Sequence, residues 1–455
     1  MAGNLNQSAE PVLTVDDLVR WFAAGEKRKP DWRVGTEHEK VLFRKADLAA
    51  IPYDTDTGVN ALLKGLEALG GTPILEKDTR IGLTLDSGAT ISLEPGGQFE
   101  LSGAPLEHIH ATAEETRRHI EAVRAVGDAL GIGFLSLGMA PTFTRADVAR
   151  MPKGRYAIMT AYMPKVGGMG LDMMYRTATV QANLDYSSEA DMVKKMRVAL
   201  ALQPVVTALF ANSPFSDGRP NGYLSMRSHI WEDTDPARTG MLGFVFDDGF
   251  GYERYADYLL DVPMYFVKRD GVYHDVAGAS FRDFMAGKLA AFPGERPRLS
   301  DWEDQTSVAF PEVRLKRYLE MRGADMGPEA HVNALPALWV GLLYEDSCLE
   351  NALDLVRGWS VADMAQLRAD VPKQALDAVI GGRLVRDVAA DMLAVAREGL
   401  KRRARLNSGG DDETVYLHPL EELLERGRTL AEDKLEAFYG RWHGSLTPLF
   451  TECAF

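Results

Sequence analysis

The chain is poor in cysteine: 455 residues hold two, Cys348 and Cys453. That excludes a disulfide framework, allows at most one intramolecular bridge, and makes a reducing cytoplasm the default expectation. Met1 to Thr14 is polar and lacks the apolar core of a signal peptide. No uncharged apolar run of about 18 residues occurs, so no membrane-spanning helix is expected. Positive charge is scarce as well. With 51 Lys and Arg against 66 Asp and Glu, the net charge is −15, which speaks against nucleic acid or an anionic membrane as the main partner. The phosphate-binding strings G-x-x-x-x-G-K-[ST] and G-x-G-x-x-G after a strand are missing, as is a kinase-like signature set. H-E-x-x-H and C-x-x-C are missing too, so a zinc site has no support. What remains is 46% hydrophobic and 26% charged, the composition of a globular protein long enough for one large domain or a few ordinary ones.

What the chain does carry is acid on strands. RVGTEHEKVLF, residues 33–43, reads as a strand that turns Glu37 and Glu39 to one face, their Cα atoms about 6.6 Å apart. Two carboxylates so placed repel each other unless a cation sits between them; alone, the pair reads as a solvated edge strand. Residues 88–101 then set two strand-like runs around the turn Pro95-Gly96-Gly97. Glu94 ends the first run, and Gln98 and Glu100 share a face of the second. Residues 171–185 alternate as one strand, with Tyr175, Thr177, Thr179, Gln181, Asn183 and Asp185 on one face. Short hydrogen-bonding groups of this kind suit a lined cavity as well as a solvated face. Residues 312–322 also read as a single strand, with Glu312, Arg314, Lys316, Tyr318, Glu320 and Arg322 on an ionic face that surface ion pairs would equally explain.

Helical patterns connect these strands. One begins at Thr14, whose spacing to Asp17 is that of a capping box, after a loose tail over residues 1–13. Others cover residues 60–69, 105–130 and 155–163, and Ser188 caps one running through Ala211 with a kink at Pro204. Residues 212–250 are irregular, which in a compact domain often marks function. Beyond Leu335 the pattern is helical to the end, broken near Gly381-Gly382 and over residues 408–413.

Glu37, Glu39, Glu94, Glu100 and Glu320, with Gln181 and Asn183, form an oxygen-rich set suited to Mg²⁺ or Mn²⁺. Acids around such ions would hold the phosphates of ATP, while Arg227, Arg314 and Arg322 neutralise a transferred phosphoryl group. Five glutamates without a cation would repel one another strongly, so metal dependence follows from the set itself.

The strings VGTEHEKVLF, ISLEPGGQFELSGAPLEHIH, YRTATVQANLDYSSE and PEVRLKRYLEMRGAD followed by LPALWVGLLY resemble the plant and proteobacterial type of glutamate–cysteine ligase, a branch of the glutamine synthetase-like carboxylate–amine ligases. The resemblance implies an α+β fold: a curved, mainly antiparallel sheet forming a funnel, with helices outside and a helical C-terminal region. It implies one catalytic domain over residues 1–455, with the sheet core at about 30–330 and the helical region at about 335–455. It implies Glu37, Glu39, Glu94, Glu100 and Glu320 as magnesium ligands and Gln181 and Asn183 beside the metal–nucleotide site. Arg322 would face the transferred phosphate, and Arg227 and Arg314 would contact substrate carboxylate or phosphate, Arg314 and Arg322 acting as the catalytic cations. The implied activity is ATP-dependent ligation of L-glutamate to L-cysteine through a γ-glutamyl phosphate, the first step of glutathione synthesis. Two alternatives stay open, a related ligase using another amine and a guanidino phosphotransferase. The expected protein is cytoplasmic, a monomer or homodimer, with small-molecule substrates and no nucleic-acid or membrane partner. The redox-switched disulfides for which plant members are known could here amount to one bridge at most.

Overall fold

A computed structural model describes residues 13–455; the expected tail over residues 1–13 lies, Leu13 apart, outside the described residues. Nine strands form the main sheet: β1 (Val34–Arg44), β2 (Gly71–Glu76), β3 (Thr79–Leu85), β4 (Thr90–Leu93), β5 (Phe99–Ser102), β6 (Ile132–Leu135), β7 (Thr179–Leu184), β8 (Val313–Leu315) and β9 (Leu319–Asp325). Their order is β8-β9-β7-β1-β5-β4-β3-β2, with β6 on the far half of β1. Every pairing in it is antiparallel. The α+β class and the antiparallel sheet are as expected.

β1 is the central strand because both of its faces are useful. Glu37 and Glu39 open onto a cavity, while His38 turns the other way and meets His119 of the Ile109–Leu130 helix edge to face. Behind the sheet, the helices Glu189–Leu209 and Glu329–Leu343 are buried along almost their whole length. Glu329–Leu343 packs on β7 and β1, and Glu189–Leu209 packs on β9. The C-terminal helix Val385–Arg403 backs Glu329–Leu343 so closely that a Cβ at Gly399 would lie 1.9 Å from the Gly341 carbonyl oxygen. Glycine there is a packing requirement. Among the described residues no helix is long and apolar enough to cross a membrane.

Several local expectations hold. Thr14 and Asp17 form the capping box of the Val15–Ala23 helix, and the Glu189–Leu209 helix starts from its Ser188 cap. Pro95-Gly96-Gly97 makes a tight turn in which Glu94 N–H donates to the Gln98 carbonyl at 3.0 Å. Gly97 sits at φ +84°, and a Cβ at Gly96 would lie 2.3 Å from the Tyr175 carbonyl oxygen.

Others need correction. Residues 171–185 are not one strand: Gly170–Arg176 is helical and the strand begins at Thr179. Tyr175 at the helix end and Thr177 after it share the parity of Thr179, Gln181 and Asn183, which carries the apparent alternation back into the helix. Residues 312–322 are likewise not one strand but the hairpin β8–β9, turning at Lys316-Arg317-Tyr318. The turn flips the chain without breaking the odd–even alternation, so Arg314 and Glu320 become cross-strand partners. The β2–β3 hairpin and the short Met226–Ile230 helix went unread in the sequence. Cys348 and Cys453 are both buried and unpaired.

Candidate active site

One cavity of about 410 Å³ lies on the front of the sheet. Nine of the ten residues singled out in the sequence line it: Glu37, Glu39, Glu94, Glu100, Gln181, Arg227, Arg314, Glu320 and Arg322. The register explains the convergence. Glu39 stands opposite Glu100, Glu37 opposite Gln181, and Glu320 opposite Asn183. Asn183 is the exception; it stays out of the lining and donates its Nδ2–H to Glu37 Oε1 at 2.7 Å.

The cavity is electrically divided. On the β1–β5 side, Glu37, Glu39, Glu94 and Glu100 have no cationic partner within ion-pair distance among the described residues. Their bonds are to neutral donors: Thr179 N–H to Glu39 Oε2 at 3.0 Å, and the Ser92 and Ser102 hydroxyls to Glu100 at 2.6 and 3.1 Å. Burial, then the Glu320 and Glu100 charges, push the Glu37 carboxyl up to about 7. Burial with Glu94 and Glu100 drives Glu39 well above the carboxylate range, and burial with Glu94 raises Glu100. This is the repulsion expected of like charges crowded in low dielectric.

The β8–β9 side is the reverse. Glu320, fully buried, is clasped by Arg314 through both carboxylate oxygens, Nη2 to Oε1 at 2.9 Å. Arg322 Nη1 lies 3.0 Å from Oε2 and Lys316 Nζ 3.5 Å from Oε1. Burial works the other way, but Arg314, Lys316 and Arg322 together hold Glu320 well below the usual carboxylate range. Arg314 is expected from the sequence to touch phosphate or substrate carboxylate. Its fork is instead spent on Glu320 and on the Ser307 and Ala309 carbonyls at 2.8 and 3.1 Å, so it braces Glu320. Arg322 keeps free donors, with Nη1 donating to Gln181 Oε1 at 2.8 Å. Arg227 donates to the Arg322 carbonyl at 2.8 Å, and its Nε is buried without a partner.

Sequence reasoning missed part of the lining. Arg155 enters from the Gly154–Tyr162 helix with no ion-pair partner among the described residues, whereas Lys316 and Tyr318, on the ionic face read from the sequence, come from the β8–β9 turn. Met159, Met173, Trp231, Phe266 and Phe310 supply an apolar wall. No local string marks Arg155 or the apolar wall, because they come from five separate segments.

Acids on one side of a sheet cavity and arginines on the other are an arrangement suited to a metal-bound polyphosphate. A family model described as Glutamate-cysteine ligase family 2 (GCS2) matches residues 33–452, and the chain belongs to that family. It is 53% identical over 446 residues to a glutamate–cysteine ligase, chloroplastic, of Nicotiana tabacum, and 52% identical over the same length to one of Arabidopsis thaliana. Each alignment covers 98% of this chain and 83% of the relative. A crystal structure of a Francisella tularensis glutamate–cysteine ligase in complex with AMP superposes with a TM-score of 0.57 over 94% of this chain and 88% of that one. At 14% identity that likeness speaks for the fold alone.

The chloroplastic names of these relatives overturn the expectation of a cytoplasmic protein. Cysteine poverty signals a reducing environment, and that property does not single out the cytoplasm.

Proposed function

We propose that the cavity binds Mg²⁺–ATP and L-glutamate, and that the chain joins the γ-carboxylate of L-glutamate to the amine of L-cysteine, the first step of glutathione synthesis. The observation that carries the reading is the division of the cavity into an unpaired acidic wall and a cationic wall with free arginine donors. The donor set suits magnesium. Among the described residues no three acidic, histidine or cysteine side chains are gathered into a ready-made cage. Magnesium, however, retains water and takes one or two carboxylates together with substrate phosphates. Glu37, Glu39, Glu94 and Glu100 would hold it, and Glu320 would join them from its arginine clasp. When bound, the ion neutralises phosphate oxygens and the raised carboxyls at once.

The glutamate γ-carboxylate attacks the γ-phosphorus of ATP, ADP leaves, and a γ-glutamyl phosphate forms. Arg322 and Arg227 point unpaired donors at the charge that grows on the transferring phosphoryl oxygens. The cysteine amine then attacks the acyl carbon and expels phosphate. The wall of Met159, Met173, Trp231, Phe266 and Phe310 keeps water from the acyl phosphate in between. Residues 30–330 would supply the catalytic sheet and the C-terminal helices its backing, as one domain.

The activity test is direct. Purified protein with ATP and Mg²⁺ should release ADP only with glutamate and an amine acceptor present, and cysteine should be much preferred. Turnover with another amine and none with cysteine overturns the substrate assignment, and phosphoryl transfer to a guanidino group without amide formation supports the phosphotransferase alternative.

The raised carboxyls also make a stability prediction. Below about pH 4.5 Glu37 is protonated in both folded and unfolded chains; between there and about 7 only the folded chain keeps the proton. Stability is therefore lost as pH rises through this window, by on the order of 3 kcal/mol from this group. In calorimetry without metal the unfolding midpoint should fall from pH 5 to pH 8, and Mg²⁺ should raise it more at pH 8 than at pH 5. Equal shifts at both values would separate the acidic wall from metal binding.

A further inference from the structure

Asp325 ends the RGAD string on β9, 1% exposed and absent from the cavity lining. Its carboxylate nonetheless ties together three segments. Oδ2 accepts the Asn212 N–H at 2.9 Å and the Ser213 hydroxyl at 2.6 Å, and Oδ1 accepts the Ser225 hydroxyl at 2.9 Å. Both hydroxyls pass the connection on. Ser213 Oγ accepts the Arg227 N–H at 3.1 Å, and Ser225 Oγ accepts the Ser228 N–H at 3.2 Å, capping the Met226–Ile230 helix that bears Arg227. The chain closes tightly over this knot: a Cβ at Gly138 would lie 2.5 Å from the Asp325 carboxyl carbon.

The same stretch of β9 holds the other end of Arg227. A register shift between Met321 and Ala324 takes the Arg322 carbonyl out of the ladder. That oxygen accepts Arg227 Nη2–H at 2.8 Å and, at 3.3 Å, the Thr179 hydroxyl. Arg227 is thus held at its backbone through Asp325 and at its guanidinium by Arg322, its Nε buried without a partner. Of the charges that offset the burial of Arg227, Asp325 acts most strongly, ahead of Glu39 and Glu312.

We infer that Asp325 is a positioning residue: through Ser213 and Ser225 it fixes Arg227 against Arg322, so that the two arginines meet the anionic substrate as one preformed pair. The inference rests on the proposed function for the chemistry of that substrate, and on this structure alone for the coupling. In Asp325→Asn one of the two serine hydroxyls loses its acceptor, because the amide nitrogen offers only a donor.

The test is a double-mutant cycle of Asp325→Asn with Arg227→Ala in the full chain, reading kcat, the KM for each substrate, and ATP and glutamate binding by calorimetry. Asp325→Asn should lower kcat/KM about tenfold to a hundredfold, the range for a lost hydrogen bond to a charged group. Its effect should fall on the same substrate as Arg227→Ala and nearly vanish in the Arg227→Ala background. Ser225→Ala, which removes only the Oδ1 partner, should give a smaller loss with the same dependence and serves if Asp325→Asn does not fold. Losses that multiply in the double variant, or that track the folded fraction in thermal melts, make Asp325 merely structural and overturn the proposal. Coupling seen in ligand affinity without wild-type ligation would refute the function and keep the positioning role; ligation without coupling would do the reverse.

Discussion

Glu320→Gln should abolish ligation and, in the same protein, lower the midpoint of thermal unfolding by several degrees. The carboxylate lies wholly buried among Arg314, Lys316 and Arg322. An amide of the same shape leaves three cations in low dielectric with no counter-charge. Removing one partner of a buried ion pair typically costs about 3–5 kcal/mol, because the survivor stays desolvated and uncompensated. The Arg314 clasp would open, releasing the Ser307 and Ala309 carbonyls it also holds. Activity falls because Arg322 shares its Nη1 between Glu320 and Gln181 and would lose its aim. Circular dichroism melts beside an ADP-release assay check both halves. An unchanged midpoint would mean that Glu320 sits in the clasp without stabilising it.

Glu37→Gln should do the opposite to stability while also destroying activity. Among the described residues Glu37 has no cationic partner at ion-pair distance, and burial, then its neighbours Glu320 and Glu100, oppose its ionisation. Neutralising it removes repulsion, so at pH 8 without metal the variant should unfold at a higher temperature than the wild type. The gain should shrink toward pH 5, where the wild-type carboxyl is already protonated. Ligation should fall about a hundredfold or more, in keeping with loss of a group that holds charge at the transferring phosphate. The stabilising effect of Mg²⁺ should fall with it. A Glu37→Gln protein less stable than the wild type at pH 8 would show that the hydrogen bond from Asn183 outweighs the repulsion.

The opposite signs of these two results mark where sequence reading stops. Read along the chain, Glu37 and Glu320 are equivalent acids on alternating strands, both expected to be metal ligands. Only the β8–β9 turn brings Arg314 across from Glu320 and makes that acid the centre of an ion cluster. The turn itself escapes the sequence pattern because the alternation resumes in the same phase beyond it, interrupted only at Arg317. Strand parity was legible for Glu37, Glu39, Gln181 and Glu100, since period-two alternation survives whatever the neighbouring strand turns out to be. The boundary at Thr179 was not legible, because Tyr175 and Thr177 share the parity of Thr179, Gln181 and Asn183 and so extend the pattern back past it. Arg155 and the apolar wall left no signal, being single side chains from separate segments that meet only after folding.

By itself the sequence determined that the chain is rich in acid, nearly free of cysteine and built on short alternating strands, and its strings carried the family. It also placed the five glutamates on faces they do occupy. These are local properties, set by side-chain chemistry and backbone period. The tertiary structure alone decided which glutamates stand unpaired and which is neutralised, which arginine is spent on bracing and which keeps free donors, and that Asp325 ties Arg227 to the sheet. Such distinctions depend on distances that folding sets, whether across a turn, as for Arg314 and Glu320, or between distant segments, as for Ser225 and Asp325, and electrostatic energy depends on those distances and on burial rather than on order along the chain.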